Sequence, residues 1–328
     1  MSPCETHHSC GDETDGYRGV YHRARIRATR WLHPSYPLTM TTSRYAVARD
    51  ALHESPRICL NEVRTSKGAS SLMGRFATTA ALYEKFRPPY PPDFFREVAR
   101  QLSLSKHSAL IDLGTGPGLL ALGFAPYVGR ITGVDPELAM LAAAKAAAAR
   151  AGAIFTLIEG RAEDLPDDIG GFDLVTIGRA LHWMERSTLG PLLERLVAPG
   201  GSVAVCASFS VTDGRNAWLE AYRAARRNWS DARLWSESRH GERRHRDFVD
   251  ALAVTSFRSA GVITVESTQD ISVSDLAQRM LTFSSSSPAA LGDRAEAMLR
   301  DVEARLMPFS HDGILTEIVV STALIARR

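Results

Sequence analysis

Short apolar runs alternate with stretches in which apolar positions recur every three to four residues, and this rhythm holds from about residue 93 to residue 210. Residues 109–113, Ala-Leu-Ile-Asp-Leu, form an apolar run that stops in glycines. That length and those flanks predict a buried strand. Residues 130–135, 153–159, 172–177 and 202–208 repeat the signature. Between them the spacing predicts helices over 119–127, over 189–196, and over the alanine-rich stretch 136–151 that Gly152 closes. Upstream, 77–86 suits a helix until the sequence Arg-Pro-Pro-Tyr-Pro-Pro at 87–92 interrupts it, since proline cannot continue one. Asp93 is then placed to cap a helix carrying Phe94, Phe95, Val98 and Leu102 on one face. Strand–helix alternation implies parallel pairing through right-handed crossovers, in a sheet covered on both faces.

After residue 210 the rhythm breaks. Residues 211–260 read as helical and rich in Arg and Trp, 262–271 as a strand, 274–281 and 289–307 as helices, and 315–325 as a final strand. The expected organisation is one domain over 73–328. Its sheet core occupies 106–210, 260–271 and 313–328, and a helical cap is drawn from 73–92, 211–259 and 272–312. Residues 1–72 mix His, Arg, Ser, Thr and Pro without sustained periodicity and read as a disordered extension, with Met40 or Met73 as alternative starts. Residues 16–49 hold seven arginines and no acid, faintly like a transit peptide. The acids Glu5, Asp12, Glu13 and Asp15 in front of them argue against import. Cys4, His7, His8 and Cys10 are spaced too tightly to surround one zinc ion, so no metal site is expected.

Candidate chemistry concentrates after the first core strand, in Asp112-Leu-Gly114-Thr115-Gly116-Pro-Gly118. Glycine serves where the chain turns sharply or its backbone meets a ligand. A dinucleotide site spaces its glycines G-x-G-x-x-G over a pyrophosphate. Here the third glycine comes one residue early and an acid precedes the first, which suits a ligand with an ammonium-bearing amino-acid end. Asp135, ending the second strand, can accept both ribose hydroxyls of an adenosine ligand; it can equally offset the dipole of the helix after Pro136. Met140 lies one turn on, either under an adenine face or in ordinary core packing.

These residues resemble motif I of the class I S-adenosylmethionine-dependent methyltransferases, and the likeness extends over about residues 106–210. It implies a Rossmann-like fold with S-adenosylmethionine as cofactor, held by Asp112, Gly114, Thr115, Gly116, Gly118, Asp135, Pro136 and Met140. The segment 159–166 looks like the family's adenine loop, with Ala162 and Glu163 in the matching positions. Relatives commonly carry an acid where this chain has Arg161, which puts that side-chain contact in doubt. Ligands in open α/β sheets bind beyond the carboxyl ends of the strands, so Gly178 to Trp183 should face the methyl group. His182 is the candidate general base, because imidazole titrates near neutrality; otherwise the His-Trp pair shapes the pocket. Tyr83 and Arg87 are similar to the N-terminal cap of the small-molecule branch, the trans-aconitate and ubiquinone-pathway type. There Tyr83 would cover the cofactor and Arg87 would pair with its methionine carboxylate.

Composition narrows the partners. Formal net charge is +2, so no overall field demands nucleic acid or an anionic membrane, and no apolar run approaches a membrane span. The four cysteines outline no disulfide framework, and a reducing cytoplasm is the default. Residues 215–247 hold nine arginines against five acids, with Trp218, Trp229 and Trp235 interleaved. Such a segment serves either as a lid over a small-molecule acceptor, tryptophans lining the pocket, or as an RNA- or protein-docking surface. A non-catalytic relative that binds the cofactor as a partner subunit would show the same motifs. An NAD(P) oxidoreductase is opposed by the glycine spacing.

Overall fold

The computed structural model describes residues 22–26, 80–230, 248, 252 and 255–328. Strands β1 (His22–Ile26), β2 (Ala109–Leu113), β3 (Arg130–Asp135), β4 (Thr156–Glu159), β5 (Phe172–Gly178), β6 (Val197–Ser210), β7 (Arg258–Ser272) and β8 (Ile314–Arg327) form one sheet. Their order is β1-β7-β8-β6-β5-β2-β3-β4. From β6 through β5, β2 and β3 to β4 all pairings are parallel. At the other end β8 runs antiparallel between β6 and β7. The five residues of β2 are all buried, as a strand flanked on both sides and covered on both faces should be. In β8 burial alternates residue by residue, so one row of side chains enters the core.

Helices α2 (Pro92–Gln101) and α3 (Leu119–Phe124) cover one face of the sheet, and α5 (Arg186–Leu196) the other. Helix α4 (Leu138–Arg150) follows β3 and packs on β3 and β4. A separate apolar cluster forms the cap, where α6 (Leu219–Trp229) and α7 (Val273–Arg279) pack with α8 (Pro288–Leu291) and α9 (Ala295–Leu306). Helix α1 (Ala80–Phe86) lies against α7 and α4.

Two expectations need correction. Asp93 does not cap α2: Pro91 holds that position, Pro92 opens the helix with no N–H to satisfy, and Asp93 pairs with Arg96 at 2.6 Å inside the first turn. The extension 1–72 is not wholly outside the fold either, since β1 adds to the edge of β7. An unpaired strand edge offers a row of backbone donors and acceptors, which is enough to recruit a segment without an apolar pattern. The readings placed on Cys4 to Cys10 and on residues 231–247 fall outside the described residues.

Cap and sheet are joined by a buried charge pair. The Arg279 guanidinium grips the Glu317 carboxylate of β8 through two bonds of 2.6 and 2.8 Å, with both side chains almost wholly shielded from water. Every remaining site on the carboxylate has work: Ser210 Oγ donates to it at 2.6 Å and Gln269 Nε2 at 2.8 Å. Arg279 Nε donates at 2.5 Å to the carbonyl of Phe86, the residue that ends α1. Against the cost of burial, Arg279 holds the Glu317 carboxyl below the usual carboxylate range.

Removing one partner strands the other charge in the core. Glu317→Gln should therefore cost about 3–5 kcal/mol of stability, and the pair Arg279→Met with Glu317→Leu should recover most of that loss. Chemical denaturation of the three variants checks it.

Candidate functional site

The strand order reverses at β2: the chain goes from β2 to β3 on one side and later returns to place β5 on the other. Crossovers leaving in opposite directions open a crevice at the carboxyl ends of β2 and β5. A cavity lies there, bounded by the loop after β2, the ends of β3 and β5, the loop after β4, and Tyr83 and Tyr90 from the N-terminal side.

The glycine loop has the shape the spacing foretold. Gly114 turns at φ +68°, and a Cβ there would sit 2.3 Å from the Ala180 Cβ, so only glycine lets the β2 and β5 loops approach. Gly116 is also left-handed, φ +54°, and its open side faces the cavity with nothing within 4 Å of a notional Cβ. The amides of Gly114 and Thr115 both donate to the Val134 carbonyl at 2.9 Å, which fastens the loop to β3.

Two carboxylates anchor this frame. Asp112 is buried and accepts from Thr115 Oγ1 at 2.8 Å and Thr176 Oγ1 at 2.7 Å, tying the loop and β5 to β2. Burial pushes its carboxyl up to about 6, against the pull of those two hydroxyls. Asp135 accepts from Gly116 N at 2.8 Å and Glu137 N at 2.9 Å, and burial raises it above the ordinary carboxylate range. Each of its oxygens keeps a further lone pair for a ligand hydroxyl. Asp135 thus holds the start of the α4 segment and borders the cavity.

Most of the expected residues converge. Tyr83, Asp112, Gly114, Thr115, Gly116, Asp135, Pro136, Met140, Ala162, Glu163 and Gly178 all line the cavity. Glu163 accepts from the Glu185 amide at 2.7 Å and lies 3.4 Å from Arg161, which hold its carboxyl low in spite of burial. The acid missing at 161 is thus replaced by an Arg161–Glu163 pair at the same rim.

Three residues are placed elsewhere. Gly118 is not in the lining; at φ +84° it caps α3, and its Cα side packs on Ala144. Arg87 turns behind the cavity, its guanidinium over the Phe283 ring at 4.1 Å and bonded to the Thr282 carbonyl at 2.8 Å. His182 is exposed and outside the lining, its ring 4.6 Å from that of Trp183. It sits on a single 3-10 turn, Leu181–Trp183, which buries Leu181 and sends Trp183 to the cavity instead. The cap tryptophans also differ from expectation. Trp218 and Trp229 face inward, but bond to the Thr316 carbonyl and the Asp301 carboxylate rather than lining the cavity.

Arg179 is the residue that sequence reasoning passed over. It follows β5 with a left-handed φ of +58°, uncommon for a side chain of its size. It donates to Pro88 O at 2.6 Å and Ser208 O at 3.2 Å, and its guanidinium lies 5.0 Å from the centre of the Tyr90 ring. Its place in the loop after β5 was the available signal.

A glycine-rich turn at the carboxyl edge of a parallel sheet, with an acid one strand over, defines a Rossmann-like nucleoside-binding protein. Residues 110–201 match the methyltransferase-domain family, so this stretch is a methyltransferase domain. An uncharacterised methyltransferase of Mycobacterium tuberculosis strain H37Rv is 29% identical over 144 residues, 44% of this chain and 55% of that protein. Another, from Schizosaccharomyces pombe, is 28% identical over 154 residues, 45% of this chain and 58% of that one. The chain thus spans little more than half the length of the curated relatives it matches. Among solved structures, an S-adenosylmethionine-dependent methyltransferase from Geobacter sulfurreducens is similar at 16% identity over 76% of this chain and 97% of that one, with a TM-score of 0.44.

The donor set fits that cofactor. Asp112 is a buried carboxylate with no cation beside it, suited to an ammonium; Asp135 suits a ribose diol; Met140 and Val134 offer apolar surface to a base.

Because Asp112 is protonated below about pH 6 when no ligand is bound, cofactor affinity should fall as pH drops through that value, by at most tenfold per unit. In the ligand-free chain the sign is opposite. A raised folded-state value stabilises the fold at low pH, and this contribution is lost as pH rises from about 4 to about 6. Calorimetry with S-adenosylhomocysteine and thermal melts across pH 5–8 read both slopes, and Asp112→Asn should flatten both.

Proposed function

We propose that this chain transfers the methyl group of S-adenosylmethionine to a small-molecule acceptor. The observation that carries the reading is the single cavity lining in which Asp112, the left-handed Gly116 and Asp135 meet Tyr83 and Trp183. When bound, the cofactor supplies an electrophilic methyl group on a sulfonium. The protein's share is then to hold the cofactor by its two ends, align the acceptor and keep water out. Asp112 and Asp135 serve the first need. Tyr83, Tyr90 and Trp183 wall the side where an acceptor enters, and the cap behind Tyr83 is fixed to the sheet through Arg279 and Glu317.

The described part of the Arg- and Trp-rich segment favours a lid over an RNA- or protein-docking surface. Trp218 and Tyr222 of this segment are buried, and Arg215 is bonded to Glu266 through both guanidinium ends at 2.8 Å and to Asp213. Arg227 pairs with Glu220 at 3.0 Å. Arginines matched by acids on their own surface present little positive field to phosphates.

Calorimetry should show S-adenosylhomocysteine binding, weakened by roughly 1.5–3 kcal/mol in Asp135→Ala, the scale of hydrogen bonds to a charged group. Binding of NADH in its place would overturn the assignment, and binding without turnover across an acceptor panel would favour the non-catalytic partner. RNA gel shifts should show only weak retention at every salt concentration. A docking surface with six to ten phosphate contacts would instead lose about 10³–10⁵-fold in affinity between about 50 and 200 mM salt.

A further inference from the structure

A methyl acceptor that arrives as an O–H or N–H group must shed a proton, and His182 is not in the lining to take it. Three of the four carboxylates in the lining have other duties, and the fourth, Glu137, stands beside Asp135 at the start of the α4 segment. Asp112 holds two threonine hydroxyls, Asp135 two backbone amides, and Glu163 the Glu185 amide. All of them lie along the β2–β4 side, where the nucleoside and amino-acid parts of the cofactor fit.

The opposite wall carries two tyrosines in contrasting surroundings. The Tyr90 hydroxyl is buried with no hydrogen-bond partner, and burial drives its proton affinity well above the ordinary value. Tyr83 is half-buried; the Arg87 guanidinium stacks over its ring at 4.8 Å, and Arg179 shares the cavity lining with it. Burial favours the neutral phenol, and Asp135 across the cavity acts in the same sense. The two guanidinium groups outweigh both, so Tyr83 releases its proton more readily than an ordinary tyrosine. Where neighbouring titratable groups are pushed apart by their surroundings, acid and base roles divide between them.

We propose that Tyr83, stacked on Arg87 and sharing the cavity lining with Arg179, takes the proton of the acceptor, and that the acceptor nucleophile is an acidic hydroxyl, a phenol or enol. This rests on the methyl-transfer reading above. Tyr83 first gives its own proton to solvent; the acceptor O–H bond then breaks and its proton goes to the Tyr83 oxygen. The freed lone pair forms the O–CH₃ bond while the bond from that carbon to sulfur breaks, its electron pair staying on sulfur. The Arg179 guanidinium in the lining, with Arg87 behind it, stabilises a developing oxyanion and repels a protonated amine, which is why oxygen is favoured over nitrogen. Tyr90, which keeps its proton, is left as a neutral donor toward the same oxygen.

The test begins with tyrosinate absorbance, titrated in the wild type, Tyr83→Phe, Arg179→Gln and Arg179→Lys. Tyr83→Phe should remove one component that titrates below the ordinary value of about 10. Arg179→Gln should move that component up, and Arg179→Lys, which keeps the charge, should leave it low. Calorimetry with S-adenosylhomocysteine should give Tyr83→Phe an affinity within about threefold of wild type. In the presence of S-adenosylhomocysteine, 4-nitrophenol should bind at least tenfold more tightly than benzylamine, and lose that preference in Arg179→Gln. The proposal is overturned if the component removed by Tyr83→Phe titrates at or above the ordinary value, if benzylamine binds better, or if Tyr83→Phe loses cofactor affinity tenfold or more. If the wild type binds no S-adenosylhomocysteine while the low-titrating tyrosine is present, it is the methyltransferase reading that fails.

Discussion

Two opposite charges buried together repay their loss of water only when their polar atoms also find partners, and each side-chain nitrogen of Arg279 and each oxygen of Glu317 has at least one. Its strands and helices are otherwise unrelated in sequence: α7 from the cap, β8 and β7 from the antiparallel edge, β6 from the parallel sheet, and the end of α1. A geometry this constrained leaves α1 little freedom to slide. Tyr83 and, beyond the proline segment, Tyr90 are consequently delivered to the crevice as fixed walls, with Arg87 held behind them. Hydrophobic packing of the cap on itself would not do this, since that cluster is largely separate from the two that cover the sheet.

The crevice itself is electrically polarised. Asp112, Asp135, Glu137 and Glu163 stand on the β2–β4 side with one arginine, Arg161, paired to Glu163; Arg179 stands at the end of β5, and Arg87 lies behind it. A ligand with cationic groups toward the acids and an acceptor that develops negative charge toward the arginines would follow this field. In a cleft with low-dielectric walls such a separation is felt more strongly than it would be in water.

How much of this the chain announces depends on the range over which each feature is decided. Strands β2 and β3 match their predicted ends, because an apolar run stopped by glycines or by a proline is a local signal. Gly114, Asp112 and Asp135 were equally legible, since turn, strand end and acid lie within one supersecondary unit. What stayed hidden was decided at a distance. The left-handed turn at Arg179 is imposed by carbonyls of Pro88 and Ser208, far away in sequence. Arg87 was drawn off by Phe283 and Thr282, and the facing of His182 depends on which side of a single turn buries Leu181. The antiparallel insertion of β8 and the recruitment of β1 are pairing choices between backbones, and side-chain periodicity does not record them.

Strand β8 lies between β6 and β7, and protein synthesis runs from the amino to the carboxyl end. When β7 leaves the ribosome, its link to the parallel strands does not yet exist, because β8 lies between it and β6 in the sheet. The nucleoside-binding half, whose strands pair over shorter stretches of chain, can close first. The cap, the buried charge pair and the walls of the crevice must wait for β8 to insert between two strands already made. Insertion of this kind carries a large loop-closure cost and is slow relative to local pairing. During that interval the exposed edges of β6 and β7 are what a chaperone would have to shield.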